Sequence, residues 1–277
     1  MDDGVSETPH RRSARAAPDW QMAEGWSDGT SGVAGHRGGN TSRGKCVAIL
    51  ANAYLHYCFD LWAERWRHRE AAGQVAIVRF ADDIVCGFER KADAKRFLEQ
   101  LRERMGKFSL SLHPEKTRLI EFGRFAAERR AARGENKPET FNFLGFTHIA
   151  SKSRTGSFQV KRKTRRDRLR RKVNAVKCEL RRRKHESIVQ QGKYLGQVVR
   201  GFIQYHGVPG NFRRVSAFRY AVVKLWKHVL RRRSQKDATT WERMQQLAGY
   251  WLPPARIVHP WPEHRFLVKH PRWEPSA

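Results

Sequence analysis

Two short apolar runs, Val75-Ala76-Ile77-Val78-Arg79-Phe80 and Ile84-Val85-Cys86-Gly87-Phe88, lie either side of Ala81-Asp82-Asp83. β-Branched and aromatic residues at this density favour strands, and Asp suits a tight turn. The spacing predicts a β-hairpin with two adjacent carboxylates near its tip. No other feature constrains the fold as strongly. Like charges raise each other's pKa, so twin acids at a tip are costly unless a cation sits on them. Magnesium suits them, because it takes carboxylate oxygens together with water and phosphate. Two such ions stabilise the attacking and leaving oxygens of a phosphoryl transfer. An Asp-Asp pair is also an ordinary exposed turn, and taken alone that plainer reading leads.

Composition narrows the partners. Lys and Arg number 56 against 27 Asp and Glu, a formal charge of +29 over 277 residues, with a pI near 11.0. This is hard to reconcile with an ordinary metabolic enzyme and points to a polyanion, nucleic acid before membrane. With 39% hydrophobic and 11% aromatic residues the chain is too apolar to be wholly disordered, and its length is ample for a core. No stretch approaches the roughly 18–20 apolar residues of a membrane span. The N-terminus is acidic and then Gly-rich, unlike a secretory or transit peptide. The expectation is a cytoplasmic protein with no membrane partner; nothing indicates its oligomeric state. Cys46, Cys58, Cys86 and Cys178 are too scattered for a disulfide framework, and the absence of a Cys-x-x-Cys pair argues against zinc.

Residues 1–46 are Gly-rich and polar without apolar period, and read as disordered or unrelated sequence. Ile49, Leu50, Tyr54, Leu55, Cys58 and Leu61 recur at helical spacing, predicting a helix from Val47 to about Arg67. Ala94, Leu98, Leu101, Met105 and Phe108 mark another, with Asp93 suiting the dipole at its start. Arg118–Phe122 is a candidate strand, residues 123–140 a charged connector, and Phe141–Phe146 a compact apolar hairpin or strand. Between Lys161 and Arg183 thirteen residues are basic and only Asp167 and Glu179 acidic, yet Leu169, Val173, Val176 and Leu180 hold helical spacing. This predicts an amphipathic helix with a basic outer face. Leu195–Phe202 and Val215–Val229 mark two more, the last ending in Arg231-Arg232-Arg233. Asn211 is a plausible helix cap. His206 has no nucleophile beside it and is given no chemistry. The chain divides into 1–46, an α/β region 47–150, an all-α region 160–250, and a Pro-rich extended tail 251–277.

Phe80-Ala81-Asp82-Asp83 between two apolar strands resembles the palm signature of reverse transcriptases. Leu110-Ser111-Leu112-His113-Pro114-Glu115-Lys116-Thr117 is similar to the element after the family's palm helix, and Phe141-Asn142-Phe143-Leu144-Gly145-Phe146 to the element that closes the palm. Ile49–Leu55 resembles the helix ahead of the catalytic hairpin. The basic helices, including Arg200–Tyr205 and Asn211–Phe218, resemble the maturase-specific thumb of group II intron proteins. The resemblance covers about 47 to 265, and the ordered set is far more specific than any single motif.

The resemblance implies an intron-encoded reverse transcriptase and maturase: a partial α/β (α+β) palm followed by an all-α thumb. Such a protein binds group II intron RNA, assists splicing and copies RNA into DNA, with target DNA a further partner. Asp82 and Asp83 would be catalytic and would hold Mg2+, with a third aspartate from an earlier palm strand. Lys116 would lie by the primer strand. Arg162, Lys163, Arg165, Arg166, Arg170 and Lys172 on the first basic helix, and Arg231, Arg232 and Arg233 ending the third, are candidate phosphate contacts. Tyr194, Phe202, Tyr205 and Phe212 are candidates for base stacking; for Phe202, which shares the apolar stripe, core packing is favoured. Only 48 residues precede Ile49. Of the acids there, Asp2, Asp3, Glu7, Asp19, Glu24 and Asp28, none lies in a strand-like run, and Asp60 reads as a solvated or capping acid. The expectation is an N-terminally truncated homologue with weak polymerase chemistry. The alternatives are an active polymerase with fingers supplied elsewhere and a generic basic RNA-binding module.

Overall fold

The computed structural model describes residues 20–24, 41–153, 155–233 and 239–262. Its first half is a four-stranded antiparallel sheet in the order β2-β3-β1-β4, formed by β1 (Trp20–Glu24), β2 (Val75–Phe80), β3 (Asp83–Phe88) and β4 (Arg118–Phe122). The alternating apolar positions of β3 send side chains to both faces of the sheet. Ile84, Cys86 and Phe88 meet the helical layer, while Val85 joins Ile120, Phe122 and Phe141 on the other side.

The helical layer consists of α1 (Thr41–Leu55), a π-helical turn (His56–Asp60) and α2 (Leu61–Arg69), run together, and of α3 (Lys91–Lys107). Its centre is Trp66, whose ring meets Phe97 edge-on at 4.9 Å and Phe88 at 6.1 Å. Edge-to-face packing of this kind adds about 0.5–1.5 kcal/mol per pair beyond area burial. The helix begins at Thr41, six residues before the predicted Val47. Along its outer side Val47, Ile49, Leu50, Tyr54 and Tyr57 are exposed.

Asp93 is 2% exposed and does more than face a helix dipole. Its Oδ2 accepts from the amides of Ala72 and Gly73, both at 3.0 Å, and Arg96 donates to its Oδ1. One carboxylate thus fixes the loop that launches β2.

The connector 123–140 contains a short helix, α4 (Ala126–Ala132). A three-stranded sheet follows: β5 (Phe141–Phe143), β6 (Phe146–Lys152) and β7 (Phe158–Thr164). β7 corrects the sequence expectation, because Lys161, Arg162 and Lys163 pair with Ile149, His148 and Thr147 in a strand and not in a helix. Three consecutive basic residues put cations on both faces of this edge strand, and charge density alone does not distinguish such a strand from a basic helix.

The second half is helical: α5 (Arg166–Arg182), α6 (Ile188–His206), α7 (Phe212–Arg231) and α8 (Trp241–Trp251). The sequence reading lacked α8. A Ser187–Gln190 capping box starts α6. Leu195, Val199, Phe202, Val215, Phe218, Val222 and Trp226 form the core, with Phe202 stacked on Phe218 at 3.8 Å. Phe202 is therefore a packing residue, 5% exposed. α8 lies close against α6, where a Cβ on Gly192 would come 2.5 Å from the Trp251 ring. No helix of the described residues is long and apolar enough to cross a membrane.

Candidate nucleic-acid interface and acidic hairpin

β2 and β3 pair in register from Val75 with Phe88 to Phe80 with Asp83, leaving Ala81 and Asp82 as the two-residue turn. The hairpin is where the sequence places it. Ala81 has φ 53°, a left-handed conformation that costs a non-glycine residue about 1–2 kcal/mol. Arg79 offsets that cost: its Nη1 donates to the Ala81 carbonyl at 2.9 Å and to Asn52 Oδ1 at 3.0 Å. The same guanidinium forks onto Asp60, Nε to Oδ1 at 2.7 Å and Nη2 to Oδ2 at 2.6 Å. Asp60 ends the π-helical turn. So Asp60 is neither a cap nor a solvated acid; it anchors the arginine that shapes the tip. Burial works to raise the Asp60 carboxyl, but the Arg79 hydrogen bonds and charge, with His56, overcome it and hold it below the usual range.

The twin acids are half-buried. Burial raises the Asp83 pKa, and the neighbouring Asp82 charge raises it further. The charges of Arg168, Arg165 and Lys116 oppose them. The N-terminal end of α5 therefore faces the hairpin tip, and Lys116 approaches from the loop before β4.

Among the described residues no group of three His, Cys, Asp or Glu side chains gathers to hold a metal. The two carboxylates themselves suit a hard divalent cation, which would relieve both the burial and the mutual repulsion of Asp82 and Asp83.

One upstream acid must be moved. Trp20–Glu24 forms β1 between β3 and β4, with Glu24 in register with Val85 and Arg118. Trp-Gln-Met-Ala-Glu lacks β-branched residues, and its strand character comes from the gap between two partners. Residues 1–19 and 25–40, with Asp2, Asp3, Glu7, Asp19 and Asp28, lie outside the described residues.

The basic candidates separate into places. Arg162 and Lys163 stand on β7; Arg166, Arg170 and Lys172 are exposed along α5, with Arg165 just before it. Arg165, Arg166 and Arg170 line a cleft of about 500 Å3 with Asn142 and Thr147 of the β5–β6 hairpin. Asp167 sits in that cleft; burial works to raise its carboxyl, but hydrogen bonds from Arg171 and Arg165 hold it down at about 2. A second groove, about 690 Å3, runs between α5 and α6, with Arg168, Arg171 and Lys172 facing Tyr194 and Tyr205. Arg231 closes α7, and Arg232 and Arg233 follow it, away from both clefts.

Of the four stacking candidates, Tyr205 is 53% and Phe212 49% exposed. Tyr194 lies under the Arg183 guanidinium, 4.5 Å from its ring centre. Tyr205 also stacks on Phe146 at 5.8 Å and donates from its hydroxyl to the Leu144 carbonyl at 2.9 Å. It binds α6 to the tip of the β5–β6 hairpin.

Sequence reasoning missed the joint behind these clefts. Asn211 is 1% exposed and does not cap α7 with its side chain. Its Oδ1 accepts from the Thr164 amide at 3.0 Å, and its Nδ2 donates to Thr164 Oγ1 at 2.7 Å and to the His206 carbonyl at 2.8 Å. His206 packs against Phe146 and Phe202, and burial lowers its pKa to about 4, so it stays neutral there at pH 7.

Residues 44–148 match the family model for reverse transcriptase (RNA-dependent DNA polymerase). That stretch, from α1 through the acidic hairpin to β6, is a reverse-transcriptase domain of the RNA-directed DNA polymerase type. No curated protein matches the chain.

Proposed function

We propose that this chain is a group II intron-type reverse transcriptase and maturase homologue that binds intron RNA and assists its splicing. One observation carries it: the charges of Arg165, just before α5, and Arg168, on its first turn, reach Asp83 at the hairpin tip and oppose the rise of its pKa. A basic helical wall beside an acidic reverse-transcriptase hairpin suits a polynucleotide whose phosphates lie along the wall and whose reacting end reaches the acids. Asp82 and Asp83 would hold Mg2+, which supplies charge stabilisation for phosphoryl transfer. Arg165, Arg166, Arg170 and Lys172 would hold the backbone, and Lys116 the strand nearest the tip. Polymerase chemistry by this chain alone is expected to be weak, since two carboxylates on one hairpin offer only part of what two ions require.

Binding of the purified chain to a group II intron RNA, compared with an unrelated structured RNA of equal length, tests this. Affinity should fall steeply with salt, and Arg166→Ala with Arg170→Ala should lower the logarithmic slope by roughly 0.7–0.9 for each phosphate that is no longer neutralised. Equal affinity for both RNAs would favour the generic module. A flat salt response would sink nucleic-acid binding altogether.

An active polymerase is favoured by a different observation. Glu24 ends the strand beside β3, in register with Val85, two residues along from Asp83. Template-directed dNTP incorporation that disappears in both Asp82→Ala and Glu24→Gln would establish that reading.

A further inference from the structure

The C-terminal portions of α5 and α7 converge on a groove of about 630 Å3. Lys177, Arg181 and Lys184 contribute one wall, and Arg231, Arg232 and Arg233 the other. Among the described residues no Asp or Glu lines it. The acids nearest the Lys177–Lys184 wall in sequence are engaged: Arg183 takes Glu179 at 2.8 Å and Glu186 at 3.2 Å. Lys177, Arg181, Lys184, Arg231 and Arg232 form no ion pair among the described residues. Arg233 donates from Nη2 to the Glu186 carbonyl, yet its buried Nε has no partner among them.

This differs from the other end of α5. There Asp167 pairs with Arg165 and Arg171 at 3.0 and 2.7 Å. Six cations around one groove repel one another, and no carboxylate among the described residues lining it balances them. A bound polyanion would. Arg168, whose charge acts on Asp83, and Arg181 lie thirteen residues apart on α5, about 20 Å of helix.

We propose that this groove is a distal phosphate site that grips the backbone of the same polynucleotide about 20 Å along α5 from Arg168, the α5 cation whose charge reaches the acidic hairpin. The inference rests on the nucleic-acid binding proposed above and adds a second, separate anchor to it. Anchors this far apart span several base-pair steps, so only a longer duplex engages both.

The test uses the full chain and two RNA stem-loops, with stems of about 5 and about 20 base pairs. A distal variant carries Lys177→Ala, Arg181→Ala and Arg232→Ala; a proximal one carries Arg166→Ala and Arg170→Ala. A milder distal variant, Lys177→Gln with Arg181→Gln, guards against misfolding, and circular dichroism confirms the helices of each. The distal variants should bind the long stem about ten-fold more weakly, with a salt slope lower by about 2, while short-stem binding is nearly unchanged. Wild-type long-stem affinity and slope in the distal variants, with weaker binding in the proximal one, would overturn the distal site and leave RNA binding standing. Failure of the wild type to bind either stem would overturn both.

Discussion

Arg79 on the hairpin and Asp60 at the end of the π-helical turn are joined by two hydrogen bonds, of 2.7 and 2.6 Å. The pair is mostly enclosed, with side chains 16% and 29% exposed. It ties the helix to the strand that carries the acids, and the same arginine holds the Ala81 carbonyl.

Removing the arginine leaves Asp60 without its main partner and the turn without its brace. Arg79→Ala should cost about 3 kcal/mol, from a broken, partly buried ion pair and the removal of charge-assisted bonds. Chemical denaturation measures it. Arg79→Lys should recover only part, because an ammonium cannot fork onto the carboxylate.

The same pair gives a pH dependence. The folded Asp60 carboxyl lies below its unfolded value, so its contribution is present above about pH 4 and is lost as pH falls through the folded value. Melting of the wild type and Asp60→Asn should differ at pH 7 and converge in acid. Curves that stay parallel down to about pH 2 would contradict this assignment.

Magnesium should stabilise the wild type through Asp82 and Asp83. At an ion concentration 100 times the dissociation constant the gain is about 2.7 kcal/mol. Asp83→Asn should abolish the shift while leaving a folded protein, as read by thermal melting with and without millimolar Mg2+. An equal Mg2+ response in that variant would place the ion elsewhere.

Asn211→Ala should destabilise the joint by about 2–3 kcal/mol, because the buried Thr164 amide and the His206 carbonyl lose their partner. Hydrogen exchange at the Thr164 amide should rise more than exchange in α3.

Gly192→Ala drives a methyl group into the Trp251 ring. A cost of about 1–3 kcal/mol is expected, with α8 loosening before the rest of the bundle. Limited proteolysis near residues 239–252 reports it.

The acidic hairpin was legible in the sequence because its signal is local: two apolar runs and a turn. The apolar stripe of α7 was legible for the same reason, with Val215, Phe218, Val222 and Trp226 all buried. What escaped depends on partners distant in the chain. β1 is a strand because β3 and β4 flank it. Asp60 and Arg79 are 19 residues apart, and Asn211 and Thr164 are 47 apart. A single Asn before a helix reads as a cap until the strand it latches is known. Arg162 and Lys163 escaped because a basic strand and a basic helix share a composition.

The bonds at Asn211 and Tyr205 also carry a mechanical consequence. Thr164 and Leu144 both belong to the β5–β7 unit, and both are fastened to the α6–α7 corner. Pulling on the bundle therefore drags that small sheet along as a lever, and the load passes to the sheet of the twin acids through Phe141, packed on Phe122 and Val85.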